Sequence, residues 1–187
     1  LHIAREFKIT IRKEIIESLL KSPSLEETQA LLQYLVGQDP SMVFDYCLTI
    51  IEHFPDLRTD LAIKTLLLPD TVEPTDSQVK KILTLVSRSE NDLQTASLVR
   101  ILHNASEQIP VKWFTAILQH RNSEVRFEST RLMALTAREE LRGLLDKAWQ
   151  RDDKAKPWAG VGLWKLGDPK FLNYVKDNRA SAKLLAY

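Results

Sequence analysis

The strongest constraint in this 187-residue chain is a helical pattern that returns about every thirty residues. Val125-Arg126, Ser129, Met133 and Thr136 recur as Ala155-Lys156, Ala159, Leu163 and Leu166. An earlier copy reads Leu93-Gln94, Ser97 and Ile101. Each copy sets apolar residues at i, i+4, i+8 and i+11 around a small residue, which makes one helix face with a point of close approach at its middle. A shorter helical stretch and a polar turn precede each copy, so the unit is a helical hairpin of 30–33 residues. One such hairpin cannot bury its own apolar stripes. Stacked hairpins can, and an array follows.

Local signals delimit the helices. Residues 11–20 place Ile11, Ile15, Ile16, Leu19 and Leu20 on one stripe. Ser24 with Glu27 forms a capping box, in which each side chain satisfies an amide that the first turn leaves orphaned. Asp39-Pro40 opens the next helix and Pro55 ends it, and another runs from Asp56 towards Pro69. The stretch "PDTVEPTD", 69–76, reads as a linker, and Thr75 or Asp76 caps the helix after it. Paired helices are expected over 77–88 with 93–104, 110–119 with 124–136, and 139–149 with 154–166. At the end of the last, Gly167 suits a left-handed C-cap, Asp168 a new N-cap and Pro169 a first helical position. The segment 169–177 then begins a further helix. No stretch alternates with the period of a strand, so the chain is expected to be all-α.

The stretches "NSEVRFESTRLMAL" and "DDKAKPWAGVGLWKLGDPKFLNYV" resemble HEAT-like repeats, especially the short bilin-lyase type. That pattern is an acidic turn, Val-Arg, a small residue, a Leu and then Leu-Gly-Asp-Pro. The resemblance is clearest over 122–177 and extends in outline over 77–121; before residue 77 only the alternation of helices supports it. It implies a right-handed α-solenoid of stacked antiparallel helix pairs, a HEAT-like or armadillo-like superhelix in a single repeat domain. Within it, 1–68 would be divergent helices, 69–76 a linker, 77–177 the repeats and 178–187 an incomplete unit. The second helices of such repeats line the concave face, which implies an inner surface from 93–104, 124–137 and 154–166. Departures are visible. Val-Arg is replaced by Ala155-Lys156 and Leu93-Gln94, and Pro157 falls in a first turn. With Asp153 as the cap, either the helix start slips or that turn is loose.

The net charge of +1 conceals an asymmetry: residues 1–94 carry −5 and residues 95–187 carry +6. All four tryptophans, Trp113, Trp149, Trp158 and Trp164, lie in the basic half. Such a half is either an ordinary dipolar surface or a face for an anionic partner. Cys47 is the only cysteine, which excludes an internal disulfide and a Cys-rich zinc site and fits a reducing compartment such as the cytoplasm. No apolar run reaches the roughly 18 residues of a membrane span. The start at Leu1 reads as an excised piece, leaving a larger or membrane-tethered parent open.

Catalytic constellations are scarce. His2, His53, His103 and His120 show no metal-binding spacing, and no nucleophile elbow or phosphate-cradling glycine loop occurs. Adjacent carboxylates such as Glu139-Glu140 point roughly 100° apart on a helix and cannot share a proton readily. No cofactor is expected. The chain reads as a non-enzymatic scaffold or regulatory module that holds a protein or peptide on its concave face. Phe127, Arg131, Arg138, Trp158 and Trp164 are the candidate anchors, with Arg131 and Arg138 expected on one face with Phe127 and Ala134. Arg126 is expected to pair with Asp152 or Asp153, Trp113 and Trp149 to fill packing, and Cys47 to be an inert core thiol. Two rival functions come with the resemblance. One is nucleic-acid binding through the basic half, as in HEAT-like DNA glycosylases, although no catalytic aspartate or tryptophan of that class maps here. The other is a bilin-lyase-like factor.

Overall fold

The computed structural model describes residues 24–36, 40–68 and 73–169. The stripe over 11–20, the cap at Asp39 and the helix beginning at 169 lie outside these residues or run beyond them. All the described secondary structure is helical: nine α-helices and two 3-10 turns, with no strand among the described residues. Contacts divide the chain into two compact units, one ending at Ser87 and one starting at Arg88. That boundary follows the proline-rich stretch 69–76 by one helix.

The first unit contains α1 (Leu25–Val36), α2 (Pro40–His53), α3 (Leu57–Leu66) and α4 (Asp76–Arg88). Its helices start where the caps predict. The Ser24 amide donates to Glu27 Oε2 at 2.7 Å, and the Glu27 amide donates to Ser24 Oγ at 3.2 Å. Asp56 accepts from the Arg58 amide at 2.9 Å. Thr75 and Gln78 form a second capping box, so Thr75 rather than Asp76 is the cap. The helices α1, α2 and α3 pack on one another around Leu31, Leu35, Phe44, Leu48, Ile50 and Ile63. Gln78 donates to Asp45 at 2.7 Å and Lys81 pairs with Glu52 at 2.8 Å, tying α4 to α2.

The second unit contains α5 (Asp92–Ile101), a 3-10 stretch (Leu102–Gln108), α6 (Val111–Ile117), α7 (Ser123–Thr136), a 3-10 turn (Glu139–Leu141), α8 (Arg142–Arg151) and α9 (Lys156–Lys165). Helix α7 packs against both α5 and α9; α6 pairs with α7, and α8 with α9. Gly162 marks the tightest point. A Cβ there would stand 2.9 Å from the Ala134 Cα and 2.9 Å from a Leu145 methyl, so α9 approaches α7 as closely as a glycine allows. The core is filled by Leu98, Val99, Leu102, Phe114, Val125, Leu132, Met133, Leu145, Ala155, Ala159 and Leu163.

Asx caps set the register of the row. Asn91 Oδ1 accepts from the Leu93 and Gln94 amides, Asn122 Oδ1 from Glu124, and Asp152 Oδ1 from Lys154 and Ala155. This corrects the earliest copy by one residue. Leu93, expected in the core, is 72% exposed, and Leu98 rather than Ser97 occupies the buried place corresponding to Ser129. Apolar matching failed there because the cap, not Leu93, fixes where the helix begins.

Other expectations are also revised. Helix α5 stops at Ile101, where the chain tightens into the 3-10 stretch, and Ala105 leaves helical geometry with φ −117°. Helix α8 continues through Gln150 and Arg151, expected as turn. Asp152, not Asp153, accepts the orphan amides of the turn 153–155, and α9 proper begins after that turn, at Lys156. Pro157 then falls where no intrahelical donor is needed. At the far end Gly167 adopts φ +87°. Its amide donates to Trp164 O at 2.9 Å and the Asp168 amide to Leu163 O at 3.1 Å, a Schellman closure.

Candidate functional site

One stripe of α7 carries Glu124, Phe127, Glu128 and Arg131, spaced i, i+3, i+4 and i+7. Glu128 is the unexpected member, being only 1% exposed. A carboxylate taken out of water needs charged donors. It has two: Arg100 Nη2 from α5 at 2.5 Å and Arg131 Nε at 2.8 Å. Glu128 therefore locks α5 to α7 and holds two guanidinium groups beside each other. Among the described residues, Arg131 donates only through Nε, leaving both of its Nη groups available, and the Arg100 side chain is 52% exposed. Near this pair, partial burial and then the Arg131 charge depress the pKa of His103. On the other flank Lys154 pairs with Glu124 and lies 5.7 Å from the Phe127 ring centroid, a cation–π contact. The stripe is thus a half-buried aromatic ring flanked by Arg131 of its own helix, Arg100 of α5 and Lys154 of the turn before α9.

Of the five candidate anchors, Phe127 and Arg131 meet on this stripe. Trp164 is half-buried on α9. Trp158 is buried next to the fully buried Ala159, so it fills the interior. Arg138 does not share the face of Phe127 and Arg131. Helix α7 ends at Thr136, Ala137 turns left-handed with φ 45°, and Ala134 is fully buried. Arg138 instead reaches across to Glu107 O at 3.0 Å and Ile109 O at 2.7 Å, and lies 5.9 Å from the Phe114 ring centroid. It fastens the segment before α6.

A different stripe of α7 meets α6 and α8 at a cleft of about 170 Å³. Arg126 lies there as expected of a packing arginine: Nε donates to Asp152 at 2.6 Å, and Nη1 donates to the carbonyls of His120 and Arg121. Lys147 and Arg151, one turn apart on α8, also line it, and neither has an ion pair or side-chain hydrogen bond among the described residues. Sequence reading passed over that pair, although its i, i+4 spacing was visible. Cys47 is fully buried in the first unit, and desolvation pushes its thiol pKa far up, so the reactive thiolate is suppressed.

Among the described residues no group of three His, Cys, Asp or Glu side chains could hold a metal ion, and no helix is long and apolar enough to cross a membrane. Comparisons of the chain with protein-family models, with curated proteins and with solved structures return no match.

Proposed function

We propose that helices α5 to α9 form a segment of a HEAT-like solenoid with α5, α7 and α9 as its inner row. On that reading the chain is a non-enzymatic module that holds a protein or peptide segment against this row. The observation that carries it is the α7 stripe, where Phe127 stands beside Arg131 and the buried Glu128 fixes two guanidinium groups in place. An arginine held by one bond through Nε keeps a planar fork for a carboxylate, and its neighbouring ring supplies apolar contact. Preorganisation lowers the ordering cost of binding. The occupant that fits is an extended segment with an acidic side chain next to an apolar one.

A peptide-display selection against the full chain tests this. Enriched peptides should carry that pairing and should bind at least tenfold more weakly to Phe127→Ala and to Arg131→Ala. Equal binding to both variants, or no enrichment, counts against the reading. A duplex DNA fragment is the discriminating arm. Binding that weakens with salt by a log–log slope of about 0.9 per phosphate contact would transfer the function to nucleic acid.

A further inference from the structure

We infer that the cleft between α6, α7 and α8 is a binding site for a small organic oxyanion, a phosphate or carboxylate on a short apolar body. Three cations, Arg126, Lys147 and Arg151, line it against one carboxylate, Asp152. That carboxylate is engaged: Oδ2 holds Arg126 at 2.6 Å, and Oδ1 accepts the amides of Lys154 and Ala155. Arg126 is thereby fixed as a preset donor, with no bond through Nη2 among the described residues. Lys147 and Arg151 project from successive turns of α8 with no charge partner among the described residues. Two exposed cations with no charge partner, lining one cleft with a third of fixed orientation, make a local positive potential that favours an anion. Leu118, Leu144 and Ala148 supply the apolar part of the lining. A cleft of about 170 Å³ has room for a head group with a few carbons.

The site shares no side chain with the Phe127–Arg131 stripe, so either can fail alone. The test is an amide-resolved NMR titration of the full chain with inorganic phosphate, phenyl phosphate and butyrate, at an ionic strength held constant with sodium chloride. Saturable shifts over 115–119 and 144–152 are expected, with phenyl phosphate binding at least threefold tighter than inorganic phosphate. The Lys147→Ala/Arg151→Ala double variant should retain its remaining spectrum and bind at least tenfold more weakly. Saturation by phenyl phosphate or by butyrate, lost in the variant, supports the site, and the tighter ligand identifies the head group. Shifts matched by sodium chloride alone, or unchanged in the double variant, overturn it.

Discussion

Gly143 and Gly162 permit a controlled perturbation, because the same added methyl group meets opposite surroundings. Gly143 is exposed near the start of α8, and a Cβ there meets nothing within 4 Å. Gly143→Ala should therefore only remove glycine's helix penalty, a gain of up to about 1 kcal/mol. Gly162→Ala has the same local gain but drives its methyl to 2.9 Å from the Ala134 Cα, with Leu145 methyls at 2.9 and 3.0 Å on the other side. Backbone cannot step aside as a side-chain tip can, so overpacking costs about 1–3 kcal/mol. That cost is the expected gap between the two variants. For a unit of this size it corresponds to about 4 °C or more in Tm. Tryptophan fluorescence is the suitable probe, since all four tryptophans lie after Arg88 and report the second unit. A Gly162→Ala protein as stable as Gly143→Ala would show that α7 and α9 do not approach as described.

Further outcomes are open to measurement. Asp152→Ala removes both a cap and the anchor of Arg126, and should cost about 2–4 kcal/mol by urea titration. Asp153→Ala, at a side chain 93% exposed, should cost little, and equal losses would strip Asp152 of its role. Arg138→Lys should lose about 2 kcal/mol, because an ammonium cannot reproduce the fork to the carbonyls of Glu107 and Ile109; a neutral result would make the fastening ornamental. The Arg58 side chain and amide hold the Asp56 pKa near about 2, below its ordinary 3.8. Its folded value being depressed, Asp56 contributes stability above pH about 3.8 that is lost as pH falls through about 2. A carboxyl-carbon NMR titration should find that low midpoint, and Arg58→Ala should return it towards the ordinary value. Cys47 should resist a disulfide reagent in the native chain and react fully once unfolded.

Legibility in the sequence was local. The capping box at Ser24, the late turn at Gly167 and the pairing of Arg126 with Asp152 each depend on residues with one strongly preferred use. Register was harder to read, because Leu93 looks like core and is 72% exposed, whereas Asn91, an ordinary polar residue, sets the helix start. Glu128 was illegible for the converse reason: glutamate is a surface residue unless paired, and its partner Arg100 stands 28 positions earlier, on another helix. Arg138 was misplaced because an alanine in the left-handed region, Ala137, gives no warning that a helix has ended.

The packing of α7 on α9 supports both the face around Phe127 and the cleft beside α8. Proton NMR reads it most directly, through the contact between the Gly162 and Ala134 α-protons. A strong cross-peak between them, with further peaks from Gly162 to the Leu145 methyls, is the expected result. Well-resolved α-protons with no cross-peak between the two residues would contradict the side-by-side row of helices on which both sites depend.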